Sequence, residues 1–331
     1  MDKPGKPLNL FYEEPDPDRW FKYDRYLRRI IRRIVRGKQR PGGVMTIAIS
    51  LMKGLDRINV PYRFNDYSYI KKHPKEIACI IGKPHLLFEK KWRNPIILGA
   101  GVYSHPVDCP GLFERYPNVK RFLVPGEWMR DMCEPWYGNK VISWPVGIDT
   151  NYWQPDQAEK KFDFLIYDKI RWNNEQEEAG LIDPIIETLN QQNLSFNFIK
   201  YGNYTHQELI DKLKVSKAVI FLCEHETQGL AYQQILATNT PILAWDRGGY
   251  WQDPDYYPDK VQYQPVSSVP YWDERCGVKF TDVIDFKEKL PLFLTGSDKF
   301  KPRGYILENL TLELCAGKYL EIHGQVEKEL A

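Results

Sequence analysis

Residues 219–249 form the stretch that decides the fold. They read VIFLC (219–223), EHETQGLAYQQILATNT (224–240) and PILAWDRGG (241–249). The first and last of these pieces open with short apolar runs, and the middle one contains a helical run, GLAYQQILAT. This order predicts a strand, a loop, a helix and a second strand of a buried parallel sheet.

The polar loop of this unit, residues 223–229, is the predicted ligand site. It carries Glu224 and Glu226 and lies between the carboxyl end of a strand and the start of a helix, the usual ligand position in open α/β sheets. Gly229 falls in the first turn of that helix, where free N–H groups and the positive end of the dipole suit a diphosphate. Glu226 also fits a simpler interpretation, an acid favoured near a helix N-terminus by the same dipole.

The stretch resembles the donor-site signature of GT-B-fold retaining glycosyltransferases, especially glycosyltransferase family 4 (group 1). That signature has a Glu, a Gly-Leu pair and a second Glu eight positions after the first. Here Glu226, Gly229-Leu230 and Gln234 occupy these positions, so the chain carries Glu-x7-Gln in place of Glu-x7-Glu. In the family the second carboxylate accepts hydrogen bonds from the nucleotide ribose. A Gln oxygen also accepts, but without charge and therefore more weakly.

A second resemblance lies in residues 145–155, PVGIDTNYWQP. It is similar to the family's hinge, commonly Pro-Asn-Gly-Val/Ile-Asp-Thr followed by an aromatic residue and a proline, with Val146 in the Asn position. The resemblance implies an α/β GT-B fold, in which two Rossmann-like domains face each other across a cleft. We expect an acceptor-side domain at 1–150, a nucleotide-sugar domain at 151–304, and a C-terminal helix at 305–331 that crosses back to the first domain.

Length and composition agree with this expectation. The 331 residues suffice for two domains, and 43% hydrophobic content allows full cores. A net charge of +2 argues against wholesale nucleic-acid binding. The six cysteines are scattered without a CxxC pair, which is typical of reduced thiols in a cytoplasmic protein. We see no apolar run of the ~20 residues that a membrane span needs, and no signal-peptide core.

Residues 19–36 predict an amphipathic helix with apolar side chains on one face and arginines on the other. Its apolar face could pack on its own domain while the arginines are solvated. Alternatively, the arginine face, including Arg29 and Arg33, contacts an anionic acceptor or an anionic membrane surface, to which the protein would bind peripherally. The helix stands where the family has a short loop, so we also consider it as an insertion that selects the acceptor.

A basic pair follows the predicted strand at 162–167. In the family such a pair neutralises the donor diphosphate. Lys169 stands in the place of the usual Arg, the usual Lys would fall near Asn174, and Arg171 is a candidate substitute. Two cations would offset the charge that develops on the leaving group. A solvated pair at a strand end is the alternative.

Other candidate residues follow strand ends or glycine turns. Gly42 and Gly43 stand where the family has a Gly-Gly loop, at which the backbone approaches a ligand closely. Histidines in such loops are more often structural than catalytic. The remaining candidates are Gly202, Tyr204, Thr227 and Gln228 for nucleotide binding and Lys83 and His85 for acceptor binding. For catalysis, His105 is a candidate in addition to Glu226.

The sequence also predicts further elements. Strands are expected at 8–12, 60–64, 77–81, 95–99, 119–124, 141–145, 196–200 and, within an aromatic and Pro-rich loop, 260–263. Helices are expected from Gly43, at 126–137, 177–190, 205–214, 281–293 and 305–327. Thr205 and Glu208 form a candidate capping box.

The resemblance implies transfer of a sugar from a nucleotide-diphosphate sugar with retention at the anomeric carbon and without a bound metal or cofactor. A UDP- or GDP-sugar would be the donor, and a glycan, a lipid-linked molecule or a protein the acceptor. Glu226 would contact the donor sugar and Gln234 the ribose. The Asp-Pro-Asp triplets at 16–18 and 253–255 are interpreted as turns. Two alternatives stay open: a nucleotide-sugar epimerase or hydrolase of this fold, and a non-catalytic sugar-nucleotide-binding relative.

Overall fold

The computed structural model describes residues 6–16, 19–20, 24 and 43–331. The chain divides into two compact units. The first unit contains the described part of 1–125 together with Cys133–Trp144 and Ala316–Ala331. The second unit contains Gly126–Met132 and Pro145–Cys315.

The first unit is built on a six-stranded parallel sheet in the order β2-β1-β3-β4-β5-β6. Central strands β1 and β4 are buried at every position, as expected of parallel strands covered on both faces. The strands are β1 (Leu8–Phe11), β2 (Tyr62–Phe64), β3 (Ala78–Ile80), β4 (Ile96–Gly99), β5 (Val119–Val124) and β6 (Val141–Ser143).

Helices follow these strands along the chain. They are α1 (Gly43–Arg57), α2 (Tyr67–Lys72), α3 (His85–Glu89), α4 (Leu112–Arg115) and α5 (Glu127–Tyr137), whose residues up to Met132 belong to the second unit. The helix predicted from Gly43 is confirmed, and its buried face includes Ile47, Leu51 and Leu55. The C-terminal part of the chain also belongs to this unit, since Tyr319 is fully buried and its ring contacts Trp144.

The second unit is built on a five-stranded parallel sheet in the order β11-β10-β9-β7-β8. Strand β10 is buried at every position and reads as a continuous apolar run, as expected of a strand covered on both faces. The edge strands β8 and β11 are only partly buried, and β11 was not expected from the sequence. The strands are β7 (Phe162–Asp168), β8 (Phe196–Lys200), β9 (Ser216–Leu222), β10 (Ile242–Trp245) and β11 (Gly277–Phe280). The two-domain parallel α/β architecture expected from the sequence is therefore confirmed.

The helices of the second unit include the predicted capping box, in which Thr205 and Glu208 each accept a backbone N–H of the other. A π-helical segment, Glu178–Ile182, joins α6 to α7. The helices are α6 (Asn174–Glu177), α7 (Asp183–Gln191), α8 (His206–Val215), α9 (Leu230–Ala237), α10 (Val283–Thr295), α11 (Pro302–Asn309) and α12 (Leu312–Leu330), the last of which continues into the first unit.

Two predicted elements are wrong. Residues 260–263 are not a strand, because Lys260 and Val261 both donate their N–H groups to the Tyr256 carbonyl and so close a turn. The helix expected at 305–327 is two helices, α11 and α12. They separate where Thr311 forms a parallel bridge with Ile148.

Residues 145–155 pack tightly within the second unit. A Cβ on Gly147 would lie 2.6 Å from Leu312 Cα, so only glycine allows this approach. The Arg303 guanidinium donates to the carbonyl oxygens of Thr150 (3.1 Å) and Trp153 (2.9 Å). This segment is thus fixed by backbone contacts that its own sequence does not reveal.

The arginine-rich helix predicted at 19–36 lies almost entirely outside the described residues, and so do Gly42, Arg29 and Arg33. Peripheral membrane contact through 19–36 stays a prediction. In the part of the chain that is described, no helix combines the length and apolar character needed to cross a bilayer. All six cysteines are buried thiols.

Candidate functional site

The candidate site is formed by two loops of the second unit. The β7 loop (residues 169–173) follows β7, and the β9 loop (residues 223–229) follows β9. The two strands are parallel neighbours with Asp168 opposite Leu222, so both loops leave the carboxyl edge of the sheet, where α/β proteins bind ligands. The Lys169 N–H donates to the Leu222 carbonyl at 2.8 Å and joins the loops at their origin.

Lys169 and Glu226, both predicted site residues, form an ion pair. The pair is largely withdrawn from water, with exposed side-chain fractions of 11% for Lys169 and 9% for Glu226. Burial alone would lower the pKa of the ammonium, but the carboxylate beside it raises that pKa above its usual range. The ammonium also lies 4.4 Å from the centre of the Tyr201 ring. The structure therefore brings together a cation and a carboxylate that the sequence places 57 positions apart.

Arg171 is joined to the β9 loop by Glu224. One oxygen of the Glu224 carboxylate accepts the backbone N–H groups of Arg171 (2.7 Å) and Trp172 (2.9 Å), and the other lies 3.5 Å from Arg171 Nε. The Glu224 side chain is 2% exposed. The Arg171 guanidinium also donates to the His225 carbonyl at 2.8 Å. In the sequence Glu224 is one of two carboxylates in a polar loop, and no motif assigns it this contact.

His225 lies in a cluster of tryptophans. Its ring stacks on Trp172 and meets Trp128 and Trp251 edge-on. The Trp251 indole N–H donates to His225 Nε2 at 3.0 Å, so Nε2 carries the lone pair. Burial and the nearby cations, Arg171 first among them, lower the pKa of His225 to about 2. The imidazole is therefore neutral at physiological pH.

The aromatic loop at 247–272 supports the β9 loop. The Ser267 carbonyl accepts the Glu226 N–H at 2.9 Å, and Trp251 contacts His225 as described. The Asp246 carboxylate in turn accepts the Ser267 hydroxyl (3.0 Å) and the Ser268 N–H (2.8 Å). The sequence identifies this stretch only as an aromatic and Pro-rich loop. Its density of aromatic residues was the available signal that it packs against the protein.

Gln228, predicted to bind nucleotide, uses its amide within the protein. The amide oxygen accepts the Val146 N–H at 2.8 Å, and the amide nitrogen donates to the Val146 carbonyl at 2.7 Å. Gln228 is 5% exposed. It thus holds residues 145–155 against the β9 loop.

Gly229 ends the β9 loop in the left-handed region, with φ +82°, and precedes the first residue of α9. Thr227, Leu230 and Gln234 are half-buried.

Gly202 and Tyr204 follow β8, the neighbour of β7. Gly202 has φ +86° and open space where a Cβ would lie. The Tyr204 hydroxyl is hydrogen-bonded to the hydroxyl of Tyr167 in β7. The exposed ring of Tyr201, under the Lys169 ammonium, connects this turn to the site.

The remaining described candidates belong to the first unit. Gly43 opens α1, Lys83 and His85 are half-buried after β3, and His105 is 5% exposed. His105 Nδ1 accepts the Val107 N–H at 3.0 Å and caps the turn that follows. Burial lowers the pKa of His105. The His105 contact with Val107 fits a structural role.

The sequence matches no protein-family model, and no curated protein matches it significantly. Solved structures do share its fold. A mutant of S. aureus TarM, solved in complex with fondaparinux, alpha-GlcNAc-glycerol and UDP, aligns with a TM-score of 0.51 and 14% identity over 77% of this chain and 57% of that one. An alpha,alpha-trehalose-phosphate synthase (UDP-forming) from Burkholderia vietnamiensis aligns with a TM-score of 0.51 and 9% identity over 93% of this chain and 79% of that one.

These likenesses concern the fold. The two parallel-sheet α/β domains match the GT-B architecture of those proteins. The chain spans 57% of the length of the TarM chain, so activity and substrates do not follow from the likeness.

Proposed function

We propose that this chain is a glycosyltransferase that moves a sugar from a nucleotide-diphosphate sugar to a glycan, lipid-linked or protein acceptor. The observation that carries the proposal is the meeting of Lys169 and Arg171 with the Glu224–Glu226 loop at the carboxyl edge of β7 and β9. Cations at this position of a GT-B domain suit the diphosphate of a sugar nucleotide.

Each group has a chemical role in the proposed reaction. Lys169 and Arg171 would neutralise the charge that develops on the departing diphosphate, as cationic clamps do in phosphoryl chemistry. These side chains would supply the charge without a metal ion. Glu226 would contact the donor sugar and Gln234 the ribose. Retention at the anomeric carbon rests on the resemblance of the Glu226–Gln234 stretch to retaining enzymes.

UDP is the nucleotide to test first. One of the two structural relatives was solved with UDP and the other is a UDP-forming synthase. A thermal-shift screen against UDP, GDP, ADP and CMP and their sugar conjugates would identify the donor. Ligand at 100 times its dissociation constant stabilises the folded state by about 2.7 kcal/mol. A response to one nucleotide fixes the donor class, whereas no response to any of them would refute the proposal.

Removal of the Glu226 carboxylate should reduce turnover. We expect Glu226→Ala to lower the rate of sugar transfer or donor hydrolysis at least ~10²-fold, as does the loss of one electrostatic group in a transition state. Glu226→Gln serves as a second variant that keeps the side-chain shape. Glu187→Ala, on an exposed face of α7, is the control and should leave the rate unchanged. An unchanged rate in both Glu226 variants would remove this residue from the site.

The alternative of a non-catalytic nucleotide-binding relative has one observation in its favour, Gln234 in place of the family's second Glu. Such a protein would bind nucleotide and turn nothing over. Gln234→Glu restores the charge that strengthens a hydrogen bond from the ribose. An increase in turnover would support an enzyme with a weakened donor site, whereas tighter binding without turnover would support the alternative.

A further inference from the structure

Hydrogen bonds and an aromatic contact hold the Arg171 guanidinium in one position. Its Nη2 donates to the His225 carbonyl at 2.8 Å and lies 3.2 Å from His225 Nε2. Its guanidinium carbon lies 4.4 Å from the centre of the Trp172 ring. The guanidinium is therefore fixed on one edge and on one face.

Glu224 fixes the same residue from the backbone side. Its carboxylate accepts the N–H groups of Arg171 and Trp172 and faces Arg171 Nε. Because this carboxylate is 2% exposed, water competes little for these bonds, and hydrogen bonds to a charged acceptor are the stronger kind. One side chain of the β9 loop thus sets both the main chain and the side chain of the β7 loop arginine.

His225 is suited to this arrangement because it is neutral. Trp251 donates to Nε2, and the ring lies beside Arg171, where an imidazolium would repel the guanidinium. Two acceptors of His225 face Arg171 Nη2: the carbonyl oxygen and the Nε2 lone pair. The same lone pair also accepts the Trp251 N–H.

These hydrogen bonds engage Nε and Nη2 of the guanidinium but not Nη1. Within the described part of the chain, no residue accepts a hydrogen bond from Arg171 Nη1, and the Arg171 side chain is 31% exposed. Lys169 differs, since its ammonium is paired with Glu226 and is 11% exposed. Arg171 is thus the more exposed of the two cations, and the two N–H groups of its Nη1 are available to an anion.

We propose that Glu224 is a positioning residue that, with the carbonyl of His225, presets the Arg171 guanidinium so that Nη1 binds the diphosphate of the donor. This inference rests on the proposed function and deepens it. A side chain that is already ordered loses little conformational freedom on binding, so the preset arginine binds an anion more tightly than a mobile one.

The direction in which Glu224→Gln changes the affinity for a diphosphate tests the proposal. By charge alone, removal of a carboxylate near an anion site strengthens anion binding. Positioning predicts the opposite for Glu224→Gln, which can still accept the two backbone N–H groups but has no charge for the guanidinium. Glu177→Gln is the matched control, because Glu177 is a nearby carboxylate that faces Arg247 at 3.7 Å rather than Arg171.

The measurement is the dissociation constant of UDP and GDP, with uridine and guanosine as ligands that lack phosphate, by titration calorimetry. We expect Glu224→Gln to weaken diphosphate binding about 10-fold, to leave nucleoside binding unchanged, and to have no further effect in an Arg171→Met background. Glu177→Gln should leave diphosphate binding equal or tighter.

Three results would overturn the inference. In the first, Glu224→Gln binds the diphosphates as tightly as the wild type or more tightly. In the second, it weakens nucleosides and diphosphates equally, which indicates a general structural defect. In the third, the Glu224 and Arg171 effects multiply independently. A wild type that binds neither UDP nor GDP would instead refute the proposed function itself, so the two failures are distinguishable.

Discussion

Substitution of Gly229 by alanine should destabilise the protein through a defined clash. A Cβ at this position would lie 2.0 Å from Cε1 and 2.4 Å from Cδ1 of Tyr232. The Tyr232 ring cannot move aside easily, because it is fully buried and its hydroxyl accepts the Tyr271 N–H at 2.9 Å. Residue 229 also has φ +82°, where any Cβ is strained.

Gly202 provides a matched control for the strain. Its φ is +86°, and no heavy atom other than those of Gly202 and its two chain neighbours lies within 4 Å of the position of an added Cβ. Gly202→Ala should therefore cost only the left-handed conformation, ~1 kcal/mol. Gly229→Ala adds overpacking of about 2 kcal/mol to the same strain, for a total of ~3 kcal/mol. The difference between the two variants reports the contacts of the added Cβ, chiefly with Tyr232 and, at 3.3 Å, with Glu226 Cβ.

The assay is urea unfolding followed by circular dichroism, comparing transition midpoints at unchanged slope. Both glycines lie in the second unit, so the same transition reports both. If the two alanine variants lose the same free energy of unfolding to within ~0.5 kcal/mol, the reasoning is refuted, because deviations from additivity are of that size. A further check is Tyr232→Leu, which should reduce the cost of Gly229→Ala towards that of Gly202→Ala.

Two other substitutions test buried polar contacts. Gln228→Leu leaves the N–H and carbonyl of buried Val146 without partners and should cost about 3 kcal/mol in urea unfolding, whereas the exposed Gln207→Leu should cost less than ~0.5 kcal/mol. Lys169→Met leaves the Glu226 carboxylate buried and unpaired, with an expected cost of about 3–5 kcal/mol at pH 7. The pKa of Lys169 is higher in the folded state than in the unfolded chain, where it is ~10.4. The ion pair therefore stabilises the protein fully below pH ~10.4, and this stabilisation is lost as the pH rises through the pKa of Lys169 in the folded state. The stability difference between wild type and Lys169→Met should therefore narrow in strongly alkaline solution; a difference that stays constant as the pH rises well above ~10.4 would contradict the ion pair.

Local patterns in the sequence predict most strands of this protein, since the buried parallel strands are largely apolar. Strand β11 (Gly277–Phe280), which is only partly buried, was not among the expected strands. Local patterns fail where a strand or helix begins or ends because of a contact with backbone that is remote in the sequence. Strand β9 begins at Ser216, before the apolar run, because residue 216 pairs with Phe162 of the neighbouring strand. The last helix is interrupted because the Ile148 N–H donates to the Leu310 carbonyl at 2.8 Å. Neither partner is near in sequence, so no local periodicity reveals it.

The candidate site shows the same division. Glu226 could be proposed from the sequence because it closely follows a predicted strand, where α/β sheets bind ligands. Lys169 and Arg171 were proposed because the resemblance to glycosyltransferase family 4 implies a basic pair after the strand at 162–167. The contact of Glu224 with the β7 loop could not be proposed, because a buried carboxylate and a solvated one look alike in a polar loop. Gln228 likewise matched a nucleotide-binding position, while its amide is occupied by a peptide group 82 positions away.

The tryptophans around His225 also make the site observable. The Trp172 ring contacts both the His225 ring and the Arg171 guanidinium, so an anion that binds Arg171 changes the electric field at an indole. Indole emission responds to such a change in wavelength and intensity. The chain thus carries an intrinsic optical probe beside the proposed phosphate contact, and nucleotide binding can be followed by its native fluorescence without a label or a coupled enzyme.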